Sequence, residues 1–278
     1  MKKIISGLLA LSISLPVLAQ ELPQPSPTST IVQRIGLTDV EVVYSRPSAK
    51  ERTIFGDLVP YNELWRTGAN SCTRISFSTD VELAGNKVKA GEYGLFSVPG
   101  EENWTIVISK QTNLWGVGGY NESEDVVRFD VASENSDYDE TFEISFTDLT
   151  QSGGQLSIEW ADTEVNVPIS VDSQTQSAIN VSKAIAEANR SYRNAASFYS
   201  GQGDHDKAIA TIDLAVELDP NNWYTNWVKA EILAAAGKSK EAKKQGKAAI
   251  DMGQEFYDNA GQPFTYRASL EKDMKSWK

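Results

Sequence analysis

Cysteine and histidine are almost absent from this chain: Cys72 and His205 are the single examples in 278 residues. One thiol rules out an internal disulfide. One imidazole excludes a His-rich metal site and makes any Ser-His-Asp triad depend on His205. That residue lies in GQGDHDKA, a turn entering a helical pattern with no nucleophile motif around it, and reads as a solvated turn residue. Cys72 has no histidine or other activating group beside it and stands just before apolar Ile75 and Phe77, so it reads as a small buried side chain. Several sequence motifs are missing as well: G-x-S-x-G, a phosphate-binding glycine loop, G-x-G-x-x-G and CxxC. What remains for catalysis is a carboxylate pair of the kind glycosidases use, and nothing in the sequence singles one out.

Basic residues are also scarce, with 26 Lys and Arg against 38 Asp and Glu. The chain opens with MKKIISGLLALSISLPVLAQ. Lys2 and Lys3 form a basic start, Ile4 to Leu15 an apolar stretch too short to span a bilayer comfortably, and Val17-Leu18-Ala19 a cleavage site. Residues 1–19 are therefore expected to be a signal peptide and the protein to be exported, periplasmic or secreted. Loss of Lys2 and Lys3 takes the net charge from −12 to −14. Such an acidic surface repels nucleic acid and anionic lipid. No later apolar run is long enough for a membrane helix, so no membrane insertion is expected after cleavage.

The rest falls into two regions of different period. Residues 20–30 (QELPQPSPTST) read as a Pro/Ser/Thr-rich linker. From 31 to 171 apolar residues alternate with polar ones, as in Val40/Val42/Tyr44, Trp104/Ile106/Ile108, Phe142/Ile144/Phe146 and Leu156/Ile158/Trp160. Turn signals at Gly85-Asn86, Pro99-Gly100 and Gly153-Gly154 separate these runs. Together they predict an antiparallel β-sandwich or barrel with one wet face per strand.

From 172 to 278 the period is helical and alanine-rich. Gly203, Ala208 and Ala215 recur 34 residues later as Gly237, Ala242 and Ala249, the tetratricopeptide period. Ala196 and the other small residues let paired helices approach, with Tyr192, Tyr199 and Ile212 expected between them. Asp219-Pro220-Asn221 ends the second helix. The second unit departs from the pattern at Gly246, where a large apolar residue usually packs. Thr265 to Trp277 is expected to cap the stack.

Two polar-aromatic stretches stand out as site candidates. Residues 44–70 carry Tyr44, Arg46, Tyr61, Trp65, Arg66 and Asn70 among apolar residues and turn formers. Arginine is costly to bury unless its donors are paired, and a guanidinium can grip a carboxylate or phosphate bidentately. These six residues read as a pocket for a small anionic or glycan ligand. Alternatively the arginines pair with Asp57, Glu63 or carbonyls and brace a long loop. In NLWGVGGYNESEDV (113–126), Trp115 and Tyr120 among glycines read as a sugar-stacking platform or a tucked loop. The carboxylates at Glu122, Glu124 and Asp125, and at Asp137, Asp139 and Glu140, lack EF-hand spacing. No metal or cofactor is expected.

The segments YSRP, IFG-D-LVPY, WRTGAN, ISFSTDV, AGEYGLF-x-VPG and WTIVISK, in this order, resemble the DUF2911 family over residues 31–170. The resemblance implies exported proteins common in the Bacteroidetes lineage, some with tetratricopeptide-like C-terminal helices, and implies no biochemical activity. The preferred expectation is a non-enzymatic exported protein. Its β domain would bind a ligand or partner, and its helical repeats a protein. The alternatives are a carboxylate-dependent hydrolase or lyase acting on an envelope glycan, and an envelope assembly factor.

Overall fold

The computed structural model describes residues 22–278. The expected signal peptide and residues 20 and 21 of the expected linker lie outside the described residues. The chain divides into two compact units at Asp172/Ser173. No helix among the described residues is long and apolar enough to cross a membrane.

The first unit is one nine-stranded antiparallel sheet. Its strands are β1 (Thr28–Ile35), β2 (Thr38–Ser45), β3 (Thr73–Phe77), β4 (Val81–Leu83), β5 (Asn86–Val88), β6 (Gly91–Val98), β7 (Asn103–Ser109), β8 (Asp125–Thr147) and β9 (Gly153–Val171). Their spatial order is β1-β2-β3-β6-β7-β8-β9-β4-β5, so the sheet is open, with β1 and β5 at its edges. Between the sandwich and barrel expectations, this order excludes a closed barrel. β8 belongs to both halves: its first stretch pairs with β7, and from Ser133 onward it pairs with β9. Register shifts at Asn135/Asp139 and Asp139/Glu143 interrupt the second ladder, as bulges do where a long strand must bend. Apolar side chains of both halves meet in a single core that includes Val42, Phe77, Trp104, Ile106, Phe142, Ile158 and Trp160.

The alternation predicted this sheet, with two local differences. Strand β1 begins at Thr28, inside the stretch expected to be a linker, because Thr28 to Thr30 pair with Val43 to Ser45 of β2. The tight hairpin after Leu83 turns on Ala84 and Gly85, both at positive φ (45° and 82°), rather than on Gly85-Asn86. Asn86 instead donates its amide back to the carbonyls of Leu83 and Ala84.

The second unit contains α1 (Ser173–Gly201), α2 (His205–Leu218), α3 (Trp223–Ala235), α4 (Ser239–Asn259) and α5 (Arg267–Ser276). Gly203 and Gly237 both take a left-handed φ, 79° and 76°, between the helices of each pair. Ala208, Ala215, Ala242 and Ala249 are completely buried where the paired helices touch. Asp204 caps α2 by accepting from the Lys207 amide, and Asn222 caps α3 by accepting from the Thr225 amide. Gly246 is explained by α5: a Cβ there would lie 3.0 Å from the Trp277 ring. Gly253 similarly makes room for Phe264. Tyr192 corrects the packing expectation, since its side chain is substantially exposed instead of wedged between helices. His205 starts α2 half-buried, and its buried Nδ1 has no hydrogen-bond partner, so it is less solvated than a turn residue was expected to be.

Candidate functional site

The segment from Tyr44 to Asn70 leaves β2, crosses the sheet and returns to start β3. Its first part locks onto the bent half of β8. The Tyr44 hydroxyl donates to the Ile144 carbonyl and accepts from the Ile144 amide, both at 3.1 Å. Arg46 donates Nε to the Phe142 carbonyl (3.1 Å) and Nη2 to Glu143 Oε2 (2.9 Å). The Phe142 amide donates to the Pro47 carbonyl and the Ala49 amide to the Glu140 carbonyl. Tyr44 and Arg46 are thus structural ties between strands about a hundred residues apart in sequence. The acid facing Arg46 is Glu143, not the expected Asp57 or Glu63.

The second part holds Trp65 at the centre of an aromatic cluster. Its ring stacks on Trp160 (6.0 Å, 17°) and meets Phe55, Trp104 and Phe142 edge-on. The Trp65 backbone pairs in both directions with Ser97, and its indole N–H donates to the Gly68 carbonyl. Tyr61 packs its ring against Gly56, where a Cβ would lie 2.8 Å from Cε2.

Immediately after Trp65 the backbone is strained. Thr67, Gly68 and Asn70 have φ of 52°, 145° and 59°. A β-branched residue at positive φ is a genuine outlier and is kept only where its surroundings over-determine it. They do here. The Thr67 hydroxyl bonds the Ser97 hydroxyl, its carbonyl accepts from the Thr73 hydroxyl, and the Asn70 amide donates to the Ser26 carbonyl and the Ser45 hydroxyl. Gly68 has no room for a side chain, since a Cβ would lie 3.0 Å from the Ser45 carbonyl.

Arg66, at the entrance of this strained turn, differs from every other candidate. Its Nε is buried without a hydrogen-bond partner, and no acid pairs with its guanidinium among the described residues. Burial alone lowers its pKa from the ordinary arginine value. It lines a cavity of about 280 Å³ together with Ser26, Arg52, Glu63, Trp65 and Trp160. Arg52 is anchored through the Ala49 and Ser48 carbonyls, which leave its charge unneutralised. Two arginines against one glutamate make this cavity cationic in a strongly acidic protein.

Tyr44 and Asn70 line a different cavity, of about 330 Å³, with Ser45, Ser71, Arg74 and Trp115. Arg46 and Tyr61 line neither of these two. The six candidates therefore do not form one pocket. A larger cavity, about 540 Å³, lies along the β4–β5 hairpin, holds the exposed Lys89–Asp80 pair and contains none of the candidates.

The sequence pointed to Arg66 but not to Arg52, Thr67 or Glu143. No local signal marks a threonine that will be forced to positive φ, and Arg52 and Glu143 matter only through distant neighbours. In the acidic stretch 122–125, Asp125 accepts from Tyr120 and Arg128, and Glu122 pairs with Arg128. Desolvation and the Asp125 carboxylate push the Tyr120 hydroxyl far above its usual pKa. Burial raises the Cys72 thiol as well, so it stays protonated and unreactive at neutral pH.

A family described as a protein of unknown function (DUF2911) matches residues 26–169, and a tetratricopeptide repeat matches residues 190–222. No curated protein and no solved structure matches the chain. The family match spans more than half of the chain and covers the whole strained turn, the Arg66 cavity, all of the Trp115 cavity lining but Gln24, and nearly all of the sheet that frames them. The protein belongs to the DUF2911 family and carries a tetratricopeptide repeat, a protein-interaction module, C-terminal to its β unit in the chain.

Proposed function

We propose that this is an exported, non-enzymatic binding protein whose β unit takes a small anion at Arg66 and whose helical repeats dock a protein partner. The basic, apolar and cleavage-like residues at the N-terminus support export. Exposed Phe198, Tyr224, Phe256 and Tyr266 on the helical unit support a docking role, because aromatics anchor protein interfaces. The observation that carries the anion reading is the unpaired Arg66 guanidinium, with its buried Nε, in a cavity it shares with Arg52. A buried donor without a partner destabilises the fold, so a site that keeps one gains by presenting it to a ligand. A carboxylate or phosphate would complete the arginine fork bidentately.

Thermal unfolding with inorganic phosphate, citrate and succinate tests this reading on the wild type, Arg66→Gln and Arg46→Gln. At a hundredfold excess over Kd a native-state ligand stabilises by about 2.7 kcal/mol. At least one anion is expected to raise the midpoint of the wild type and of Arg46→Gln while leaving Arg66→Gln unmoved. Arg66→Gln itself should melt near the wild type, because its guanidinium has no internal bond to lose. An Arg66→Gln variant that melts far below the wild type in ligand-free buffer would make Arg66 structural, and a failure of all three anions would reject the anion site.

A further inference from the structure

We infer that the cavity beside Trp115 is a second binding site, separate from the Arg66 cavity, and that it takes a neutral saccharide. Trp115 is 73 % exposed, although tryptophan ordinarily buries most of its large ring. Its exposure does not come from a loose loop. Trp115 forms an antiparallel bridge with Ser71, the Cys72 amide donates to the Leu114 carbonyl, and the Gly116 amide donates to the Asn70 carbonyl. Leu114 is anchored in a small core with Cys72, Phe96 and Val107. Farther along, the Gln111 side chain holds both the Gly119 carbonyl and the Asn121 amide. Gly116, at φ 68° and packed against Arg66, makes the turn that presents the indole. The backbone that carries the indole is therefore held in place before any ligand arrives, which limits the entropy lost on binding.

The chemistry of the cavity wall selects the ligand class. Arg74 is paired with Glu92 at 2.8 Å, so its charge is balanced within the protein. The Cys72 thiol is held neutral by burial. The rest of the polar lining is uncharged: Gln24, Thr28, Tyr44, Ser45, Asn70 and Ser71. The Asn70 amide donates to the Ser26 carbonyl and the Ser45 hydroxyl, which fix its side chain in the wall. A flat apolar face beside fixed hydroxyls and an amide matches a pyranose, which has an apolar C–H face and a rim of hydroxyls. The one cation that lines this cavity, Arg74, is already compensated by Glu92, and an apolar ligand would leave these polar groups unpaired.

The test is a titration of the full chain with cellotetraose, maltotetraose, laminaritetraose and chitotetraose, read by calorimetry and by the Trp115 indole resonance. At least one sugar is expected to bind and to shift that resonance. Trp115→Ala should weaken binding about tenfold, with Trp115→Phe intermediate, as the loss of aromatic stacking implies. Because the ring is exposed, both variants should melt with the wild type. Millimolar inorganic phosphate should leave sugar binding to the wild type unchanged, which separates this site from the anion cavity. If none of the four sugars binds at millimolar concentration, or if binding survives Trp115→Ala unchanged, the proposal is wrong.

Discussion

The two units of this protein solve the packing problem in opposite ways. The helical unit brings together small residues at a fixed period, with Ala208, Ala215, Ala242 and Ala249 fully buried at equivalent places in successive hairpins. The β unit brings together large residues that no repeat relates: Trp65, Trp104, Trp160, Phe55 and Phe142 form one aromatic cluster drawn from four separate stretches of chain. Close approach in the first depends on the absence of side chain, and in the second on interlocking ring edges and faces. The difference explains why glycine substitutions should dominate the behaviour of one unit and ring truncations that of the other.

The largest effect is expected from Trp65→Ala. The ring touches four other aromatics, and truncating a buried tryptophan costs about 3–5 kcal/mol. Urea unfolding followed by near-UV dichroism should show the β unit lost or greatly destabilised, and a midpoint near the wild type would mean the cluster is not the keystone of the sheet. Next comes Gly253→Ala in the helical unit. Its new Cβ would fall 2.5 Å from the Phe264 ring, and overpacking of this kind costs about 1–3 kcal/mol. Pairing it with Phe264→Leu should recover part of the loss in a double-mutant cycle. As a contrast, Gly201→Ala meets nothing within 4 Å and lies at the end of α1, so it should be neutral or slightly stabilising.

A smaller effect is expected for Arg46→Gln. The Arg46–Glu143 pair is partly exposed on both sides, and such pairs contribute about 0–1 kcal/mol. The variant should melt within a few degrees of the wild type, and a collapse would show that the bond from Nε to the Phe142 carbonyl matters more than the charge. The smallest effect concerns pH. Desolvation, with the nearby Glu164, Asp139 and Glu143 carboxylates, raises the pKa of Glu159 above that of an unfolded glutamate. The folded state therefore binds the proton more tightly than the unfolded one. Stability falls as pH rises from the ordinary glutamate range through the raised value, and the penalty is complete once pH is well above it. Glu159→Gln should flatten that part of the pH profile and raise the neutral-pH midpoint slightly. An unchanged profile would mean that Ser157, which lies 2.9 Å from both Glu159 and Glu164, satisfies the charged form.

How much could be read in advance followed the range of the contacts. The helical hairpins were legible because a repeat contacts its neighbours at a constant sequence distance, so the 34-residue period already encodes who touches whom. The strands were legible one by one, because alternation depends only on each strand having a wet and a dry face. Gly246 departs from the repeat pattern because Trp277, far along the chain, lies against it. At the candidate site, local pattern correctly marked Arg46 and Arg66 as unusual and could not tell them apart. Glu143 lies ninety-seven residues from Arg46 and neutralises it, whereas no acid reaches Arg66 among the described residues.

By itself the sequence determined the composition-level exclusions, the change from period two to a helical repeat, and the short list of arginines and aromatics near residues 44–70 and 113–120. These depend on residue type and near-neighbour spacing, which the chain carries in one dimension. Only the tertiary structure decided that the sheet stays open, that Thr67 is held at positive φ, and that the six candidate residues divide between structural ties and two chemically different cavities. Those outcomes depend on the bend in β8, which carries Phe142, Glu143 and Ile144 to the end of β2, and a register across a hundred residues is set by the whole core and not by any local stretch.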